Sequence, residues 1–538
     1  MAQRIKVHEK ALAHLSKGLY RSPASALREL VSNAWDAGAT RVEISTFAPT
    51  FTRLVVRDNG AGFDKQDFVK LMETGIGNST KRLADGSNHG RPIIGRLGIG
   101  LLGVAQICTR FQIISRRNNG EIFAAEVRIE DFLRRRLDIQ DPTIVPQHSG
   151  NEVFIGEWDF IPVPKIDNDW VGTQVIVTTP LASFSESFIK TLRPTREGRD
   201  TQEEEMGARV DDEALPSRDD VLAAMPPLDW QRLLDLAADK ESVMMRGDYW
   251  RFLWELAATC PLPYMSAKAV PDGLVRGDQK RLEGYQFALI VDNRELRKPV
   301  FLPPRDKGYS TQAFSRDIVV EGRQLKFHGY MAVQEGNQLK PAELRGLMIR
   351  IKEVGVGYYD PTLLDWQVNQ GPRSRWITGE IFVEEGLEDA MNVDRDSFNR
   401  YHPEFKALQR EVHRELKKLF SQVYLRIGER STKSADERSQ QRREVLLEVA
   451  KGTADGPVKL IVERKAESNE TQPQFAKQLA NYWALDVSSA STLPTKKVNR
   501  DLAASVLAIY DLCMLRYKHS KVRREKFQEA LLELLREW

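Results

Sequence analysis

Three clusters near the start of the chain carry side chains whose types and spacing could do chemistry. Within Arg28–Ala37 (RELVSNAWDA), Glu29, Asn33 and Asp36 stand at i, i+4 and i+7. That spacing sets a carboxylate, an amide and a second carboxylate along one helix face, with Leu27, Leu30, Val31 and Ala34 over much of the rest. Burying such a face is costly without a ligand to satisfy it. The Asn33 amide oxygen suits Mg2+, and Glu29 one turn away can activate water; the competing reading is an exposed polar stripe. In Val55–Gly62 (VVRDNGAG) a strand ends at Asp58 and turns through Gly60 and Gly62. A carboxylate there, beside glycines that admit a flat ring, can accept an amine proton from adenine; an ordinary Asn-Gly turn is the alternative. Gly95, Gly98 and Gly100 open an apolar helix, Gly95–Cys108, where free N–H groups could receive phosphate. Gly172-Thr173 heads the strand-like run Gln174–Thr179 and says nothing in isolation.

The elements that must position these residues alternate between helical and extended patterns. Ala24–Ala37 reads as a helix, Arg41–Phe47 and Arg53–Asp58 as strands. Phe111–Ser115, Glu121–Ile129 and Thr173–Thr179 add further strands, giving an α/β domain with a sheet of four or five. Arg196–Asp220 breaks the pattern with ten acidic and four basic residues, the composition of a solvated linker. Beyond it lie an apolar helix with two tryptophans, Asp248–Ala258, and strand-like runs at Tyr285–Val291, Asp317–Val320 and Leu347–Val354. Phe405, Leu408, Val412, Leu416, Leu419, Phe420 and Val423 share one face of a further helix. Arg430–Arg443 is polar enough to be a second linker, and Leu502–Leu535 is leucine-rich and mostly helical.

Composition excludes several classes. The 538 residues contain 41% hydrophobic and 29% charged side chains, a globular profile of about three to four domains. No run of about 18 uncharged apolar residues is present, so no membrane-spanning helix is expected. Met1–Lys10 has no apolar core, so no secretory leader is expected. Cys108, Cys260 and Cys513 lie far apart, with neither disulfide nor zinc spacing, and a reduced, cytoplasmic protein is the default. There is no HExxH and no GxxxxGK[ST] phosphate loop. Residues 401–538 hold 26 Lys+Arg against 19 Asp+Glu, while the preceding 400 hold 53 against 57. A basic C-terminal part can attract nucleic acid or acidic partners, or it is simply a solvated helical surface.

ExxxNxxD on a helix, DxGxG after a strand, GxxGxG before a helix and GT before a strand occur in that order. The series resembles the GHKL superfamily of gyrase, the ninety-kilodalton heat-shock chaperone, histidine kinase and MutL, over roughly residues 15–180. The resemblance implies a Bergerat-fold ATP site. Glu29 would be the general base, Asn33 the Mg2+ ligand and Asp58 the partner of the adenine amino group, aided by Thr173. Gly95, Gly98 and Gly100 would shape the phosphate side of a lid, and Ser79, Thr80 and Lys81 would lie on it. Leu19-Tyr20 followed by Ala26–Asn33 (ALRELVSN) is most similar to the chaperone signature. Downstream, Asn392–Phe398 (NVDRDSF) resembles the NxSRE segment of the chaperone middle domain, with Asp394 where serine is usual. That likeness would make Arg395 a trans-domain contact to the γ-phosphate, with Arg373, Arg375 and Lys352 as rivals; a surface arginine between two aspartates is the alternative.

The expected architecture is therefore α/β, an α+β sandwich. A Bergerat-type ATPase domain (1–195) is followed by an acidic linker or loop (196–220), a transducer-like α/β middle domain (221–430) and a helical, basic C-terminal region (431–538). That last region would serve self-association as a homodimer or binding of a partner protein. ATP and Mg2+ are the expected ligands, and hydrolysis would drive closure of a chaperone-like clamp on protein clients. The alternative is a GHKL ATPase subunit of a nucleic-acid-linked system, MORC- or MutL-like, in antiphage defence or DNA maintenance. A third reading makes ATP only a switch of a scaffold, against which Glu29 argues.

Overall fold

A computed structural model describes residues 3–8, 22–73, 87–88, 90–94, 103–104, 106–129, 152–165, 170–192, 218–239, 242, 247–265, 276–300, 309–334, 338–366, 375–392, 395–461, 475–486 and 500–537. The chain forms two compact units, Met1–Leu419 and Phe420–Trp538.

The first unit is built on a nine-stranded sheet. Its strands are β1 (Gln3–His8), β2 (Arg41–Ser45), β3 (Leu54–Asp58), β6 (Arg110–Arg116), β7 (Ile122–Arg128), β8 (Glu152–Ile161), β9 (Gly172–Val177), β10 (Ala288–Val291) and β11 (Arg294–Glu295). A small hairpin, β4 (Ser87–Asn88) and β5 (Arg91–Pro92), stands apart. The sheet order is β1-β8-β7-β6-β9-β3-β2-β10-β11. All neighbours run antiparallel except β2 and β10, which pair Arg41 with Ala288 through Ile44 with Val291. Strands were expected at β2, β3, β6, β7 and β9. The sheet is wider because β1 and β8 extend it at one edge and β10 and β11 join the other from far beyond residue 195. The structure thus shows no break in the sheet's hydrogen bonding at the expected 195–220 division.

Helix α1 (Pro23–Asp36) starts at Ser22, whose Oγ accepts the Ser25 N–H, with Pro23 in the first turn. Twelve of its fourteen residues are buried. On one side it carries Trp35, whose ring meets Tyr285 and Phe287 edge-on. Further helices are α2 (Lys65–Glu73), α3 (Ala182–Thr191), α4 (Arg218–Ala224), α5 (Trp230–Asp239), α6 (Asp248–Thr259) and α7 (Arg276–Gly284). The tryptophan-rich α6 packs against α1, α3 and the second sheet, and ten of its residues are buried. Its apolar character follows from that: it has no solvent face to speak of.

The second sheet of this unit has the order β12-β13-β16-β14-β15, made of β12 (Tyr309–Val320), β13 (Arg323–Gln334), β14 (Gly346–Ile351), β15 (Val354–Asp360) and β16 (Ile377–Glu385). Leu344, Met348, Val354 and Tyr359 belong to the same continuous core as α1 and α6. The α/β class is therefore what the chain adopts, with both sheets sharing one apolar interior.

Helix α8 (Pro403–Thr453) is a single continuous element. The expected linker at Arg430–Arg443 is helix, because a polar segment without Gly or Pro can propagate a helix already nucleated upstream. The second unit also holds a three-stranded sheet, β17-β19-β18, made of β17 (Val458–Ile461), β18 (Ala476–Leu479) and β19 (Tyr482–Asp486). Helices α9 (Arg500–Arg516) and α10 (Lys521–Glu537) complete it. The purely helical expectation for 431–538 is corrected accordingly: the short strands are interrupted by polar residues that hid their period. No described helix is long and apolar enough to cross a membrane.

Candidate nucleotide site

Asp58 closes β3, and its surroundings are set by backbone geometry. Its Oδ1 accepts the Gly60 N–H at 2.8 Å and the Thr173 N–H at 3.2 Å. Its backbone carbonyl accepts the Trp170 indole N–H at 2.9 Å. Oδ2 takes no hydrogen bond among the described residues. Burial raises the carboxyl pKa to about 6, against which the two N–H donors work. Gly172 crosses directly behind Asp58 at φ +134°, and a Cβ there would lie 2.1 Å from the Asp58 carbonyl oxygen. Gly62 is similarly held at φ +62°, where a Cβ would lie 2.3 Å from the Arg116 carbonyl oxygen. Gly60 is tight as well, with Ala37 Cβ 2.9 Å from where its own Cβ would be. Sequence reasoning missed Ser115, which is fully buried. Its Oγ accepts the Phe63 N–H at 2.9 Å and lies 3.4 Å from Thr173 Oγ1. The signal was available: a lone hydroxyl following the apolar pair Ile113-Ile114 in β6.

Asn59 fixes the turn to the neighbouring strand. Its Oδ1 accepts the backbone N–H groups of Thr40 and Arg41, at 2.9 and 2.8 Å. The Ala61 N–H reaches the Ala37 carbonyl at 2.9 Å, so the C-terminal end of α1 and the Asp58 turn are joined.

On α1, Glu29 is buried, and its Oε1 has no hydrogen-bond partner among the described residues. Asn33 is half-buried on the same face. Asp36 Oδ1 accepts the Ile94 N–H at 2.8 Å, and Trp35 Nε1 donates to the Pro92 carbonyl at 3.0 Å. These two bonds dock the segment leading into the expected glycine-rich lid. Lys81, Gly95, Gly98 and Gly100 themselves lie outside the described residues, as do Leu19, Tyr20, Ser79, Thr80 and Arg373.

Arg395 meets Glu29. Its Nη1 lies 3.5 Å from Glu29 Oε2, and its Nη2 donates to the Ile94 carbonyl at 3.0 Å. The turn that presents it is closed by Asn392, whose N–H and Nδ2 donate to the Ser397 carbonyl and Oγ at 2.9 and 2.8 Å. Arg395 sits at φ +53° within that turn. Of the rivals, Lys352 pairs with Glu388 at 3.1 Å and Arg375 is exposed.

The adjacent residues hold the two elements together. Arg28 Nη1 lies 3.0 Å from Asp396 Oδ1, with both side chains 1% exposed, and Ser25 Oγ donates to Asp396 Oδ2 at 3.0 Å. Sequence reasoning did not single out this pair. Removing one partner strands a buried charge, so Asp396→Ala should lose about 3–5 kcal/mol of stability in chemical denaturation. Arg28→Met combined with Asp396→Leu should recover most of that loss. A cost below about 1 kcal/mol for Asp396→Ala would mean that the bridge is not formed in solution.

Comparison with known proteins bears on this site. Residues 20–154 match the family model described as histidine kinase-, DNA gyrase B- and HSP90-like ATPase. Those residues form a GHKL-type ATPase domain. HgiDII of Herpetosiphon aurantiacus, whose name describes a type II restriction enzyme, is 31% identical over 155 residues, 27% of this chain and 24% of that protein. The DNA mismatch repair protein MutL of Sphingopyxis alaskensis is 35% identical over 99 residues, 18% of this chain and 16% of its own length. MutL of Caulobacter vibrioides is 42% identical over 62 residues, 12% and 9% of the two chains. The chain thus spans a quarter or less of the length of these relatives. None of the three is a chaperone, and they give no support to the expected special likeness to the ninety-kilodalton heat-shock family.

Proposed function

We propose that this chain is a Mg2+-dependent ATPase whose nucleotide cycle is linked to work on nucleic acid. The observation that carries the catalytic part is the approach of Arg395 to Glu29 at 3.5 Å, on the helix whose C-terminal end is tied to the Asp58 turn. Asp58 offers its unoccupied Oδ2 to the adenine amino group, and Gly60, Gly62 and Thr173 keep that approach open. Glu29 takes a proton from the attacking water. Arg395 meets charge on the γ-phosphate through paired donors.

The donor set fits Mg2+ in part. Asn33 and Glu29 stand one turn apart on one face of α1, and the buried Glu29 Oε1 has no partner among the described residues. Among the described residues no three His, Cys, Asp or Glu groups converge as a metal cage. Mg2+ bound through one side chain plus substrate phosphates is the arrangement such a site supports. The ion would be held by Asn33 and would neutralise phosphate charge.

The Asp58 carboxyl gives a pH test. Its pKa is about 6 in the free protein, so below that value it is protonated and no longer an acceptor-only group. Adenine recognition uses the ionised form, so adenosine affinity should fall by up to about tenfold per unit as pH drops below 6. The fall should vanish in Asp58→Asn. A pH-independent affinity in the unsubstituted chain would place the adenine elsewhere.

The link to nucleic acid rests on the DNA-repair and restriction names of the relatives and on the basic C-terminal part. Turnover should change severalfold when single- or double-stranded DNA is added at low salt. A rate indifferent to DNA and RNA, with no binding of either, favours protein clients through the Asn392–Phe398 likeness.

A further inference from the structure

In the second unit, the turn between α9 and α10 presents an unusual surface. Lys518, Lys521, Arg523, Arg524 and Lys526 fall within nine residues against one acid, Glu525. Lys518, Arg523 and Lys526 are exposed and form no ion pair among the described residues. Lys521 lies 3.9 Å from Glu525, and Arg516 is engaged by Asp455 at 2.7 Å. Two rings stand among these cations: Tyr517 is 67% exposed and Phe527 58%.

The helix register groups them further. Arg523 and Arg524 stand four and three residues before Phe527 on α10, which places two guanidinium groups on the helix face that carries its ring, and the ring lies 6.4 Å from that of Tyr510. The turn is rigidly made. The N–H groups of Tyr517, Lys518 and His519 bond back to the Cys513, Leu515 and Met514 carbonyls, with Lys518 at φ +52°. Arg516 lies 5.8 Å from the Tyr517 ring centroid.

We propose that this α9–α10 corner is a contact site for single-stranded nucleic acid, with the cations tracking phosphates and Tyr517 and Phe527 stacking on bases. This inference rests on the nucleic-acid reading above and assigns it a surface. A protein partner fits less well, because interface cores are depleted in lysine. A duplex fits less well than a single strand, because paired and stacked bases offer no free face to an aromatic ring.

The test is fluorescence anisotropy of the full chain with a labelled oligothymidine of about 20 nucleotides, over a salt series from about 50 to 200 mM. Tyr517→Ala combined with Phe527→Ala should weaken binding about tenfold or more and leave the salt slope unchanged. Tyr517→Leu with Phe527→Leu keeps apolar bulk without a ring and should behave alike, which guards against loss of folding in the alanine pair. Lys518→Gln, Arg523→Gln and Lys526→Gln together should flatten the slope by about 2, three phosphates at about 0.7 each. If the chain binds the strand but every variant keeps its affinity and slope, the corner is wrong while the nucleic-acid link stands. Equal competition by unlabelled duplex overturns the stacking role. No binding at about 50 mM salt sinks both the corner and the link.

Discussion

Arg395→Ala should lower ATP turnover by about 10³-fold or more, the scale of an arginine that meets the transferred phosphoryl group. ADP affinity should stay within about twofold, because ADP lacks the γ-phosphate that the guanidinium would meet. Arg395→Lys should not restore the rate, since an ammonium cannot offer two donors in a plane. The side chain spans Glu29 at 3.5 Å and the Ile94 carbonyl at 3.0 Å, so it already stands between the proposed base and the segment entering the lid. Turnover is to be measured by phosphate release at saturating ATP, with thermal melting to show that the variant is folded. A folded variant with near-normal turnover removes Arg395 from the reaction. Its pairing with Glu29 would then be a structural tie alongside Arg28 and Asp396.

Glu29→Gln should bind ATP about as tightly as the unsubstituted chain and turn it over about 10²–10⁴-fold more slowly, the contribution of a positioned base. The substitution keeps shape and polarity, which matters at a buried position whose Oε1 has no partner among the described residues. Loss confined to the rate separates a base from a binding group. If affinity falls and the rate at saturation does not, Glu29 belongs to binding alone. The reading of ATP as a switch without hydrolysis would predict no turnover in either protein.

The chemistry-bearing residues were legible because each obeys a local rule. Glu29, Asn33 and Asp36 follow helical spacing, and Asp58 with Gly60 and Gly62 follows the chemistry of a strand ending in a turn. The strands β2, β3, β6, β7 and β9 were readable from short-range alternation. What the sequence hid is long-range. Nothing in Ala288–Val291 says that it pairs with Arg41–Ile44, and that pairing extends the sheet beyond β2. Nor does the sequence show that the apolar helix α6 lies beside α1, with Ser22 Oγ donating to Glu255 Oε2 at 2.7 Å. A chain cut at 195 would leave the β2 edge unpaired and strip this cover from α1. The Arg28–Asp396 bridge was equally invisible: each is a charged residue beside a more conspicuous one. Polar segments misled in the other direction. Arg430–Arg443 looked like a linker by composition and is helix.

Asp58 is the most direct test of the proposed site, because the ring it would recognise decides that the ligand is an adenine nucleotide. The measurement is calorimetric titration of ATP, with Mg2+ present at about pH 7.5, into the full chain and into Asp58→Asn. The amide can present a donor to the adenine amino group where the carboxylate offers only acceptors. One ATP per chain is expected, with a loss of about 1.5–3 kcal/mol on substitution, roughly ten- to hundredfold in affinity. A full chain that takes up no ATP, or equal affinities in the two proteins, would contradict the proposed site.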